Sequence, residues 1–233
     1  DKVLQFGESK GLKEMELYYD SSRELSIKTY ERTIDNYSVS NSEGVSFRAM
    51  LNDKMGYAYT EKVDESSIPF LVEEAMKNAT IIDSDDRENI FEGAETYQKI
   101  NNYNLSLDRV TEERKIQLAL DLENEARILD DRIHSIQYCV YGDVAGETSI
   151  VKSKGLSISS KSNIAFAYVG VVAKDGDDIK TGMAYKATND FFKINPKEIA
   201  REAVKEVVLG QNTILTPLGE DALRSMQIKW RKE

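Results

Sequence analysis

The sequence predicts an α+β protein of two duplicated-looking αβ units, with mixed or antiparallel sheets flanked by helices. Three observations carry that prediction. Apolar residues alternate at strand spacing, as where Val45, Phe47, Ala49 and Leu51 face away from Ser46, Arg48, Met50 and Asn52. Runs at helical spacing follow such strands, most clearly from Ser66 to Ala79 and from Thr111 to Ile133. A strand–glycine–helix pattern also occurs twice. Ser42-Glu-Gly44 is answered by Ser153-Lys-Gly155, Gly56-Tyr-Ala-Tyr-Thr60 by Gly182-Met-Ala-Tyr-Lys186, and Pro69 by Pro196 near the second helix start. Two copies at this distance mark duplication of one unit, since a solenoid needs three or more short repeats.

Taken in order, residues 1–14 read as a short helix or arm interrupted by Gly7 and Gly11. Glu16 to Asp20 and Leu25 to Tyr30 alternate around the polar Ser21-Ser22-Arg23 and predict a hairpin. Ile34, Tyr37, Val39 and Ser42 extend the sheet toward Gly44, where a turn or a close approach is expected. Asp64 or Ser66 is the cap of a helix whose stripe is Ile68, Leu71, Val72, Ala75 and Ala79. The acidic run Asp83 to Glu95 reads as a solvated connector, without the spacing of a calcium loop.

A long helix from Thr111 keeps Ile116, Ala119, Leu120, Leu122, Ala126, Leu129 and Ile133 on one side. Ile136 to Tyr141 predicts a strand with Ile136, Tyr138 and Val140 on one face. Thr148 to Lys152 and Leu156 to Ser160 predict a hairpin around Lys154-Gly155. The nearly continuous apolar run Ile164 to Ala173 predicts a central strand buried on both faces. After the polar turn 175–178 and a strand from Lys180 to Thr188, Asn195-Pro196-Lys197-Glu198 is a helix start. Ile199, Ala203, Val207 and Leu209 are that helix's apolar positions, and Gly210 its cap. These elements divide into an N-terminal αβ domain with its acidic connector (1–95), a central αβ domain (96–213) and a tail (214–233).

Composition bounds the function. With 233 residues, 40% hydrophobic and 31% charged, the chain can bury a sizeable core. A net charge of -10 argues against a sequence-independent grip on nucleic acid and against docking on anionic membranes. No run approaches the roughly 18 apolar residues of a membrane span. No signal-peptide profile opens the chain, and its one cysteine, Cys139, precludes an internal disulfide, so the expected compartment is cytoplasmic. The sequence begins at Asp1 without a methionine, which marks it as an expected piece of a longer protein.

Chemistry-bearing residues are scarce. His134 is the only histidine, so a two-histidine metal motif cannot be written with this chain, and its place beside Asp130-Asp131-Arg132 reads as a helix-end surface position. Cys139 sits within a strand pattern and reads as a buried small hydrophobe. Ser157 to Ser160 with Lys161 alternate as a polar strand face instead of a Ser/Lys catalytic pair. Tyr18, Tyr30, Tyr57, Tyr59, Tyr138 and Tyr168 all fall in strand patterns and read as packing residues with a wet hydroxyl. No GxSxG, Walker A or GxGxxG pattern occurs. Catalytic, cofactor-binding and metal-ligating residues are therefore all expected to be none.

The glycine-and-strand pattern of Ser42-Glu-Gly44, Arg48, Gly56-Tyr-Ala-Tyr-Thr60 and Glu74 to Ala79 resembles the N-terminal domain of the TldD/PmbA family. Ser153-Lys-Gly155-Leu, Gly182 and Pro196 to Leu209 resemble that family's central domain, so the resemblance spans roughly residues 14–212. It implies an α+β protein of about twice this length with a further C-terminal β-rich domain, absent here. It also implies a family of zinc metallopeptidases, labelled modulators of DNA gyrase, that act on unfolded peptides in proteolysis and peptide maturation. Paired subunits are implied as well: one carries an HExxxH zinc motif and the other lacks it. No position of this sequence matches those ligands, so the chain is expected to be inactive alone and to hold no zinc. Expected partners are a second subunit of the family, in a homo- or hetero-oligomer, and an unfolded peptide, with no direct nucleic acid and no membrane. The alternative expectation is a non-catalytic interaction or regulatory module. Residues 217–233, with Leu223, Met226 and Trp230 at helical spacing, are expected to form a short amphipathic segment.

Overall fold

The computed structural model describes residues 2–83, 88–205 and 207. The expected tail, Leu209, Gly210 and residues 84–87 of the acidic run lie outside the described residues. Helix α1 (Lys2–Ser9) precedes three strands, β1 (Met15–Tyr30), β2 (Thr33–Leu51) and β3 (Lys54–Thr60). Helices α2 (Ile68–Ile81), α3 (Leu105–Asp108) and α4 (Glu112–Ile128) follow. Strands β4 (Ile133–Lys152), β5 (Ser157–Asp175) and β6 (Asp178–Thr188) lead to helix α5 (Pro196–Lys205). The fold is α+β, and the strands are hydrogen-bonded in the order β3-β2-β1-β4-β5-β6.

The chain forms two compact units, each drawn from three stretches: 1–23, 40–102 and 145–162, and 24–39, 103–144 and 163–233. Each has its own apolar core. Met15, Phe47, Ala49, Leu71, Val72 and Ala75 centre the first. Ile27, Leu122, Cys139, Tyr141, Val169 and Val171 centre the second, with a run of alanines that lets helices lie close on strands.

The sequence repeat is a structural one. In the first unit β3 runs antiparallel to β2, and Asp64 accepts the Ser66 N–H to cap a 3-10 turn, Glu65–Ser67, that leads into α2. In the second, β6 runs antiparallel to β5, and Asp190 caps the 3-10 turn Phe191–Lys193 in the same way from Phe192. Asn195 then accepts the Lys197 N–H at 3.1 Å while its side-chain amide donates to Glu198, so Asn195 is the N-cap of α5 as predicted. Gly56 and Gly182 are where each helix touches its strand. A Cβ on Gly56 would lie 1.8 Å from the Ala75 carbonyl oxygen, and one on Gly182 would lie 2.1 Å from that of Ala203.

Several expectations are corrected. The predicted hairpin around Ser21-Ser22-Arg23 is uninterrupted strand β1, and the reversal comes at Glu31 and Arg32, with φ of 51° and 65°. Two positive-φ residues suit the twist of a two-residue hairpin turn, but neither is the usual Gly or Asn. The local pattern hides this turn because a distant group holds it. The carboxylate of fully buried Glu123 accepts the Arg32 N–H at 3.2 Å and pairs with Arg127 at 2.9 Å. Gly44 lies inside β2 and not at a turn; the Tyr59 ring occupies the space its Cβ would take.

The segments 136–141 and 148–152 are one strand, β4, and the long helix ends at Ile128, so Ile133 opens that strand instead of closing the helix. Ile136, Cys139 and Tyr141 share the core, so alternation slips by one residue in β4, as in a bulge, and Tyr138 and Val140 do not share the Ile136 face. β5 is not buried on both faces. Ala165, Ala167, Val169, Val171 and Ala173 enter the core, whereas Ile164 on the other face is 44% exposed. The 153–156 turn and the 175–178 turn fall where predicted, with Gly155 and Gly176 at positive φ.

Replacing Gly56 or Gly182 by alanine will force helix and strand apart. Each variant is expected to lose about 2–3 kcal/mol and to melt about 5–10 °C lower. Thermal denaturation followed by circular dichroism checks this, and an unchanged melting temperature would contradict it.

Candidate functional site

The residues singled out for chemistry fall in different surroundings. His134 is exposed at the start of β4, while Cys139 is fully buried with its Sγ 3.5 Å from the Ala119 carbonyl oxygen. Burial pushes the Cys139 thiol up to about 12, which disfavours the thiolate at neutral pH. Lys161 pairs with Glu147 at 2.9 Å and is not aimed at the neighbouring serines. The six tyrosines all lie in strands, but Tyr30, Tyr57 and Tyr59 are about half exposed, wetter than packing residues.

Among the described residues, no group of three or more His, Cys, Asp or Glu side chains is placed to hold a metal.

In the first unit, charge gathers around Glu16 on β1. Its carboxylate is 2.7 Å from Arg48 Nε and 2.9 Å from Lys152 Nζ. Partial burial alone would raise its pKa, but the hydrogen bonds and charges of Arg48 and Lys152 outweigh that and hold the carboxyl below its usual range. Lys152, itself nearly buried, also donates to the Phe91 carbonyl at 3.0 Å. The acidic run is thus not a solvated connector throughout: Ile90 is 1% exposed and Glu92 reaches Lys154 at 3.2 Å.

Elsewhere in the same unit a groove of about 410 Å³ lies among α1, β1, β2 and the segment entering α2. Val3, Leu17, Tyr19, Val45, Ile68 and Leu71 give it an apolar lining. Lys2, paired with Glu65, and Lys62, paired with Asp64, place both signs of charge beside it. Such a surface suits an extended chain held by apolar side chains, with little demand on its charge.

In the second unit the face of β4, β5 and β6 opposite the core is aromatic. The Phe166 ring fills the place of a Cβ on Gly142, and the Tyr138 ring that on Gly170. Tyr138 and Tyr168 meet edge to face at 5.7 Å, and Phe166 stacks on Tyr168 at 6.4 Å. Met183 and Tyr185 stand beside them, 46% and 68% exposed. A contiguous patch of this kind is a candidate interaction surface. Sequence reasoning missed it by reading the run 164–173 as doubly buried; Gly142 and Gly170, interrupting apolar strands, were the available signal.

Comparison with known proteins agrees with this architecture. Residues 15–79 match the model of PmbA/TldA metallopeptidase domain 1, and residues 105–210 match that of the PmbA/TldA metallopeptidase central domain. The chain is a member of the PmbA/TldD family. An uncharacterized protein of Methanocaldococcus jannaschii is 32% identical over 78 residues, which are 34% of this chain and 18% of that protein. Among solved structures, a Thermotoga maritima protein named for modulation of a DNA gyrase superposes with a TM-score of 0.80 at 21% identity, over 88% of this chain and 46% of its own. TldE of Thermococcus kodakarensis gives 0.80 at 18% identity, over 91% and 48%. At those identities the likeness is one of fold, and the chain spans about half the length of each of these two structures.

The lowered carboxyl of Glu16 gives a signed pH prediction. Its contribution to stability is present above the unfolded carboxylate value and is lost as pH falls through the lower folded value. Stability measured by denaturant titration between pH 6 and pH 3 should decline less steeply in Glu16→Gln than in the parent. Parallel declines would show that Glu16 carries no such linkage.

Proposed function

We propose that this chain is the domain 1 and central-domain portion of a PmbA/TldD-type zinc metallopeptidase assembly. In that role it holds unfolded peptide and contacts a second subunit, while the zinc ligands belong to another polypeptide segment. The observation that carries the reading is the pair of family domains in order along the chain, combined with a single histidine. An HExxxH motif needs two, and zinc-assisted hydrolysis needs three protein ligands and an open position. The apolar groove of the first unit supports peptide holding, and the aromatic face of the second supports burial against a protein partner.

That aromatic face also favours the alternative, a non-catalytic subunit whose role is interaction. Direct DNA binding is disfavoured by a net charge of -10. No described helix is long and apolar enough to cross a membrane, and we place the protein in the cytoplasm as part of this proposal.

The test is peptide hydrolysis. The purified chain with added zinc is expected to leave a fluorogenic unfolded peptide intact. Mixed with a family subunit that carries HExxxH, it should join a complex whose hydrolysis stops on chelation. Zinc-dependent cleavage by the chain alone would overturn the reading.

A further inference from the structure

We infer that residues 88–97 of the first unit are a tethered ligand, occupying a site built to take an extended peptide and able to be displaced from it. This segment belongs to neither family domain, since those matches end at 79 and resume at 105. It has no regular secondary structure, yet three consecutive residues make three different kinds of contact. Ile90 is 1% exposed but is part of neither apolar core. Phe91 lends its carbonyl oxygen to Lys152 at 3.0 Å and its ring to the same ammonium at 5.3 Å, while remaining 61% exposed. Glu92 reaches Lys154 at 3.2 Å from a side chain that is 77% exposed. Gly93, at φ +117°, then redirects the chain. A seated side chain, a bonded main-chain carbonyl and a paired carboxylate are the contacts by which a bound peptide is read.

The receptor does not depend on this occupant. Lys152 is held by Glu16 at 2.9 Å, Glu16 by Arg48, and Lys154 by Glu14 at 3.2 Å. Lifting the segment would vacate the place of the buried Ile90 beside two positioned ammonium groups. The chemistry of that site selects an extended segment with a branched apolar residue two positions before a carboxylate. This concerns binding alone, so it can fail or succeed independently of the peptidase reading.

The probe is a fluorescein-labelled synthetic peptide of residues 88–95, added to the full chain. Against Ile90→Asp, which empties the seat, it should bind saturably and about tenfold more tightly than to the parent, whose own segment competes. Adding Lys154→Gln to that variant should weaken binding several-fold. On the parent chain, saturating unlabelled peptide should speed hydrogen exchange of amides 90–97 while leaving β4 unchanged, a readout that survives if Ile90→Asp fails to fold. Absence of binding to a folded Ile90→Asp chain, or exchange in 90–97 unaffected by the peptide on the parent, would show the segment to be a fixed part of the fold.

Discussion

The contact on which both units depend is a strand glycine against a helix carbonyl. At Gly56 and Gly182 the backbone of an edge-side strand lies so close to Ala75 and Ala203 that no side chain fits between. Close approach brings the alanine stripes of α2 and α5 onto the sheet, which is why these helices bury Ala75 and Ala79, and Ala200 and Ala203, in place of larger residues. It also fixes where each helix must begin, so an aspartate-capped 3-10 turn stands before both. The duplication therefore preserves a packing solution, and its sequence trace is the pair of glycines more than the strands around them.

With each helix pinned to one side of its strands, the opposite side is left to other uses. In the second unit that side carries flat rings seated on Gly142 and Gly170. In the first it carries Lys152 paired with Glu16 and Lys154 paired with Glu14, while the apolar groove lies on the helix side, beside α1 and the start of α2. None of these surfaces gathers nucleophile, base and metal ligand. In the proposed reading they hold an unfolded peptide and meet a second subunit.

Much of this was legible in the sequence where the cause is local. The Asn195 cap, the 153–156 and 175–178 turns, the α2 stripe and the repeat all rest on neighbours within a few residues. The failures share a different cause. The turn at Glu31 and Arg32 is held by Glu123, 91 positions beyond Arg32. The polar triplet Ser21 to Arg23 stays extended because neighbouring strands supply its pairing. The slip in β4 depends on which residues the core admits, and the burial of Ile90 on a seat that no period announces. For the site, the residue inventory already excluded a two-histidine metal motif, but the aromatic face required knowing which side of β5 the helices cover.

Zinc content tests the central claim most directly, that this chain is a metal-free portion of a metallopeptidase architecture. Elemental mass spectrometry on the purified chain, dialysed without chelator, should find essentially no zinc bound per chain. One tightly held zinc per chain would contradict the account, and would require a ligand set that neither the single histidine nor the buried Cys139 provides.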